Sequence, residues 1–203
     1  MSTAEKRLFT PEEYLARERN SPYRSEFYRG EIFAMTGASR EHVLIVGNIS
    51  RILGQQLLDC PCEVYQNDMR VKVSPTGLYT YPDVVVACGQ PKFEDAHVDT
   101  LLNPVLIVEV LSDSTEKYDR GDKFAQFRNI ASLQAYLVVS QKRPLLDFFT
   151  RQANGQWLLT CAQNLDDHLD LACINCRLNL REVYHRIEFT ADAIDQQSLG
   201  PQP

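Results

Sequence analysis

Two short, almost unbroken apolar runs constrain this chain more than anything else: Val84-Val85-Val86-Ala87, and Val105-Leu106-Ile107-Val108 carried on by Val110 and Leu111. Runs this short and this rich in β-branched residues suit strands covered on both faces of a sheet. They are therefore expected at the centre of a layered α/β or α+β structure. The second run contains a charge, Glu109. An ionised carboxylate at such a position is costly unless a cation, a metal or several donors meet it. Asp83 heads the first run, directly after Pro82. If the two strands are neighbours, both carboxylates can reach one point in space. Facing carboxylates repel, and one is driven neutral unless a divalent cation lies between them. One or two carboxylates with water is the ligand set that Mg²⁺ prefers. A metal held so can polarise a phosphoryl oxygen and generate a hydroxide nucleophile. The residues alone leave a second possibility open, in which Asp83 caps a turn and Glu109 pairs with an Arg.

The rest of the pattern is compatible with a layered fold. Thr10 and Pro11 open "FTPEEYLARERN" as N-cap and first helical residue. "RSEFYRGEIFAMTG" reads as a hairpin turning at Gly30. Val43, Val46, Ile49, Ile52, Leu53 and Leu57 recur at helical spacing behind Ser39, which predicts one long packing helix. "CEVYQ", "MRVKVS", "QAYLVVS", "PLLDFFTR" and "GQWLLTCAQ" read as further strands, the last two joined around "QANG". "YDRGDKFAQFRNIA" is amphipathic, and "LNLREVYHRI" predicts a short closing helix. A single domain is expected over residues 1–190, with a polar tail over 191–203.

A chain of 203 residues with 44% hydrophobic content is long and apolar enough for a real core. No run approaches the roughly 20 apolar residues of a membrane span. "MSTAEKRLFT" lacks the apolar stretch of a signal peptide. A cytoplasmic protein is expected, with its six cysteines reduced. Cys173 and Cys176 form a lone C-x-x-C without the second pair of a zinc site. The net charge of −6 argues against a passive nucleic-acid binder, but not against an enzyme whose acidic site loads metal. Phosphate-binding glycine loops and the G-x-S-x-G elbow are missing.

"YPDVVVACG", "NPVLIVEVLSDSTEKYDRGDKF" and "EFYRGEIFAMTGASREHVLIVGNI" together resemble the Uma2 family, in order and spacing, from about Phe9 to Tyr184. The resemblance implies a restriction-endonuclease-like core of the PD-(D/E)xK superfamily: a mixed central sheet flanked by helices. It matches Pro82-Asp83 to the Pro-Asp of the motif and Glu109 to its second acid. Where the motif places lysine, this chain has Leu111, and Lys123 on the following helix becomes the candidate. Lys123 also stands four residues after Asp119, so a solvated ion pair along one helix is its other reading.

Glu26 and His42 lie in the matching motifs and are candidate pocket residues, although His42 also suits an ordinary helix start. Arg70 and Lys72 could contact a phosphate backbone or simply face solvent. The implied activity is phosphodiester hydrolysis, on DNA rather than RNA. Asp83 and Glu109 would hold Mg²⁺ or Mn²⁺, and Lys123 would stabilise the transition state. The alternative is an inactive nucleic-acid- or protein-binding module on the same fold, which Leu111 and the acidic charge favour. A homodimer is expected, because a symmetric pair can engage both strands of a duplex.

Overall fold

The computed structural model describes residues 7–112 and 115–189; the tail expected over 191–203 lies outside them. In chain order the elements are α1 (Pro11–Glu18), β1 (Ser25–Tyr28), β2 (Glu31–Ala34), α2 (Arg40–Gln56), β3 (Cys62–Gln66), β4 (Arg70–Val73), β5 (Leu78–Thr80) and β6 (Val84–Cys88). There follow β7 (Thr100–Leu101), β8 (Leu106–Val110), α3 (Glu116–Tyr118), a π-helical turn (Asp119–Lys123) and α4 (Phe124–Phe127). The chain continues with β9 (Ala135–Val139), β10 (Leu146–Arg151), β11 (Trp157–Ala162), β12 (His168–Leu171), β13 (Cys176–Asn179) and α5 (Leu180–Val183).

The central sheet has the order β11-β10-β9-β8-β6-β3. Only β8 and β9 run parallel in it, so the sheet is mixed. The two apolar runs become β6 and β8, adjacent at its centre. Period-two alternation divides their side chains between two layers. Val84, Val86, Leu106, Val108 and Val110 pack with Ile45, Ile49 and Leu53 of α2 and with the β12–β13 hairpin and α5. Val85, Ala87, Ile107 and Leu111 face the other way, against Val71, Val73, Leu78 and the Phe127–Leu133 segment. That second layer is more than a helix. It includes a five-stranded sheet, β2-β1-β5-β4-β7.

Local signals act where they stand. Thr10 and Glu13 form a reciprocal capping box on α1, with Pro11 inside it. Ser39 caps α2 by accepting the His42 amide at 3.1 Å. Val43 leaves the expected apolar stripe and is exposed, while Ile45 takes a core position.

Two expectations are corrected. Cys62 and Cys88 form a disulfide, so the six cysteines are not all reduced. The physical reason is register: Gly89 N donates to Pro61 O, which makes the next pair along, Cys62 and Cys88, a close non-hydrogen-bonded pair with Cα atoms 4.0 Å apart. Arg70 is neither solvated nor free for phosphate. It is buried beside Tyr14, donating to Thr100 Oγ1 at 2.9 Å and Tyr81 Oη at 2.8 Å, and it pairs with Asp99 at 3.0 Å. Lys72 pairs with Glu94. Among the described residues no helix is long and apolar enough to cross a membrane.

Candidate active site

The pairing of β6 with β8 sets Val84 opposite Val108. One antiparallel step further, Asp83 stands opposite Glu109. By alternation Glu109 points to the layer of Ile107 and Leu111, where the π-helical turn crosses the sheet. Lys123 meets it there, its ammonium 2.8 Å from Glu109 Oε1. The same ammonium lies 3.3 Å from Glu26 Oε1 and 3.5 Å from Asp119 Oδ1. Glu26 comes from β1 of the second sheet and also accepts from Thr80 Oγ1 and, at 3.3 Å, from Tyr118 Oη. Its carboxylate thus joins the two sheets at the lysine.

Asp83 is held from two directions. Val110 N donates to its Oδ2 at 2.7 Å, and His42 Nε2 lies 3.0 Å from its Oδ1. It is no local turn cap. His42 reaches it because the Ser39 cap places the first turn of α2 there. Ser39 also donates to Gln141 Oε1 at 2.6 Å, and Gln141 Nε2 donates to Leu111 O at 2.6 Å. This chain of bonds hooks the start of α2 to the end of β8.

The alternative readings of Glu109 and Lys123 hold in part: each is in an ion pair, but with a different partner or setting. Glu109 pairs with a lysine and not an arginine. Lys123 and Asp119 do form their i,i+4 pair, but with side chains only 6% and 4% exposed it is a buried pair. A π turn widens the helix locally and recurs at functional sites. Here Tyr136 Oη donates to the Asp119 carbonyl at 2.9 Å, and Arg120 bridges Glu116 and Asp147. Phe124 stacks on Tyr136, their ring centroids 5.0 Å apart. The turn is thereby fixed with Asp119 and Lys123 facing inward.

The electrostatics follow from burial. Desolvation, with Asp119 and Asp83 nearby, pushes the Glu109 carboxyl well above its ordinary range, and Lys123 opposes the shift. Burial likewise raises Asp119, again against Lys123. Burial works against the Lys123 ammonium, yet Glu109, Glu26 and Asp119 together lift its pKa well above the usual lysine value. The lysine stays charged. For His42, burial favours the neutral ring, but the hydrogen bond and charge of Asp83 outweigh it and raise its pKa.

Three carboxylates, Glu26, Glu109 and Asp119, thus surround one ammonium, and a fourth, Asp83, stands beside Glu109 in the grip of His42 and Val110 N. Among the described residues no three His, Cys, Asp or Glu side chains form a ready-made metal cage. Mg²⁺ takes one or two carboxylates and keeps several waters, so carboxylate oxygens are its ligand type. The donor chemistry fits a hard divalent cation, whose charge would offset the surplus of carboxylates. Sequence reasoning named Asp83, Glu109, Lys123, Glu26 and His42, and the structure brings all five together. It missed Asp119 as a buried member, together with Thr80, Tyr118 and the Arg120–Asp147 pair. Asp147 carried a usable signal: like Glu109, it is a lone acid inside an apolar strand run, "PLLDFF".

A mixed central sheet with one acid at the head of an inner strand, a second buried in the adjacent strand, and a lysine brought to the second, marks a restriction-endonuclease-like fold. A crystal structure described as "a putative nuclease belonging to DUF820" from Anabaena variabilis ATCC 29413 has the same fold. It matches with a TM-score of 0.69 over 85% of this chain and 96% of that one, at 12% identity. The Uma2 family, described as "Putative restriction endonuclease", matches residues 11–181, and the chain belongs to it. Two relatives come from Synechocystis sp. (strain ATCC 27184 / PCC 6803 / Kazusa). "Uncharacterized protein sll1609" is 38% identical over 79% of this chain and 90% of its own length. "Uncharacterized protein slr1290" is 34% identical over 89% of this chain and 93% of its own.

Proposed function

We propose that this protein is a metal-dependent nuclease that hydrolyses phosphodiester bonds, in DNA rather than RNA. One observation carries the reading. Lys123 supplies from the following helix the ammonium that Leu111 cannot, and places it 2.8 Å from Glu109, across the strand pair from Asp83. Asp83 and Glu109 would hold Mg²⁺ or Mn²⁺, which when bound polarises the phosphate and lowers the pKa of a water nucleophile. Val110 N and His42 orient Asp83. Lys123, steadied by Glu26 and Asp119, offers positive charge where the phosphate gains negative charge. The test is incubation with plasmid DNA and with DNA and RNA oligonucleotides, with Mg²⁺ or Mn²⁺, beside Asp83→Ala. Metal-dependent cleavage lost in the variant supports the reading. Binding without cleavage supports the inactive module, which buried Leu111 favours.

A homodimer is part of the proposal, and β11 supports it. Gln152 N donates to Gln156 O, so the antiparallel pattern turns the main-chain groups of Trp157, Leu159 and Cys161 away from β10. β11 ends the central sheet, carries no charge, and exposes Leu158 and Leu159. Edge strands usually bear charges that block pairing. Two copies joined antiparallel at β11 would continue the sheet about a two-fold axis. A cytoplasmic location also belongs to the proposal. There the Cys62–Cys88 disulfide would be open to exchange with cellular thiols.

A further inference from the structure

We propose that the site accepts an unpaired nucleobase on a platform made by Phe33 and Met35, so that single-stranded or locally opened nucleic acid is its substrate class. The inference rests on the nuclease reading and adds what the site selects. β2 is an edge strand of the second sheet, and Phe33 stands opposite Glu26 of β1. Alternation assigns the faces: Ile32 packs with Tyr14, Phe27 and Tyr79, so Phe33 points to the other side, the side of the Glu26 carboxylate. Directly opposed residues on one face have Cβ atoms about 5 Å apart. Phe33 therefore flanks the carboxylate that touches Lys123. Met35 continues the row, because its amide donates to Arg24 O and keeps the same register. Phe33 and Met35 are 48% and 39% exposed beside a cluster whose other members are polar and buried or half-buried.

Charge selects the occupant. Duplex DNA presents about one phosphate charge per 1.7 Å, and proteins that grip it spend several lysines and arginines on the backbone. Here several cations near the site already have acidic partners: Arg120 pairs with Glu116 and Asp147, Arg24 with Asp68 and Arg40 with Glu41. The chain carries a net charge of −6. Affinity must then come from a sequence-tolerant, largely uncharged contact, and stacking of bases on aromatic rings is one. A base can stack only when it is out of the duplex.

The experiment is fluorescence anisotropy in EDTA, so that binding is read without cleavage. The probes are a labelled thymidine oligonucleotide of about 16 nucleotides, its duplex with complement, and an abasic strand of the same length. The wild-type chain should bind the thymidine strand at least about tenfold more tightly than the other two. Phe33→Ala should lose on the order of tenfold for the thymidine strand and nothing for the abasic one. Phe33→Trp, in a Trp157→Phe background, should keep the affinity and show indole quenching by thymidine. Equal affinity for thymidine and abasic strands, preference for duplex, or no binding to any strand would overturn the proposal. So would a dimer that Phe33→Ala dissociates in sedimentation, which would make the platform an interface between copies. Metal-dependent cleavage, measured in parallel, separates the two ideas. If cleavage persists while Phe33→Ala behaves as wild type, only the platform fails.

Discussion

Lys123 is the residue on which the account turns, and its burial changes what its replacement should do. A solvated lysine could become methionine with little effect on folding. Here the substitution leaves Glu109, Glu26 and Asp119 without their shared cation in a place closed to water. Removing one partner from a buried pair costs about 3 kcal/mol or more. Lys123→Met is therefore expected to melt well below the wild type in metal-free buffer, by calorimetry; an unchanged melting temperature would mean that the cluster is not buried in solution. A second residue-scale outcome concerns Cys161, whose thiol pKa is pushed up to about 11 by burial and by its hydrogen bond to Asp147. At pH 8 it is almost wholly protonated, so alkylation at this position should be slow and should accelerate up to about pH 11, as peptide mapping would show. At this scale Glu109 was legible because it breaks an apolar run, and Asp83 because it heads one; Asp147 offered the same signal and was not read. Lys123, Glu26 and His42 were legible only through the matching family motifs. The Asp119–Lys123 pair was legible from its spacing but not its burial, and Thr80 and Tyr118 were not legible, because their roles arise from elements distant in the chain coming together.

At the scale of elements, the helical run after β8 decides whether the lysine arrives. Its π turn is anchored by Arg120 on Asp147, two strands away from Glu109 on the same sheet. Charge-assisted hydrogen bonds of this sort contribute about 1.5–3 kcal/mol. Arg120→Ala should destabilise the protein by about 2 kcal/mol and speed amide exchange over residues 116–123, read by mass spectrometry. Exchange unchanged there would show that Phe124 stacking alone holds the turn. β11 supplies a further outcome: Leu159→Lys puts a charge at the centre of the proposed pairing edge. Wild type should sediment as a dimer at micromolar concentration and the variant as a monomer; a monomeric wild type would contradict the dimer. Long periodic segments were legible from sequence: the Gly30 hairpin, α2, and the strand pair around "QANG". β5, β7, β12 and β13 were not. They are two to four residues long, and "LYT" or "TL" becomes a strand only when a neighbouring strand offers its ladder. Three strands of the second sheet were read, but not their assembly, because β5, which joins the hairpin to β4, is this short.

At the scale of the whole molecule, the fold is a two-layer clamp around the central sheet, and the site lies where the second sheet, the π turn and β8 meet. The Cys62–Cys88 bond fastens the outermost strand, β3, to β6, the strand that delivers Asp83. Disulfides of modest loop length stabilise by about 2–4 kcal/mol. The double variant Cys62→Ser/Cys88→Ser should therefore denature earlier than the oxidised wild type in urea, and equally once the wild type is reduced; no difference before reduction would mean that the bond does not form. The sequence hid this bond because no pattern of spacing reveals which strands pair. The central claim is that Asp83, Glu109 and Lys123 form one hydrolytic centre although the lysine has left its usual place. The most direct measurement is the single-turnover cleavage rate of labelled DNA with Mn²⁺, for wild type, Asp83→Ala and Lys123→Met, under conditions where all three are folded. The account predicts no cleavage by Asp83→Ala, and a rate lowered roughly 100- to 1000-fold by Lys123→Met with Mn²⁺ binding retained. A Lys123→Met rate near wild type, in a preparation whose activity vanishes with Asp83→Ala, would contradict it.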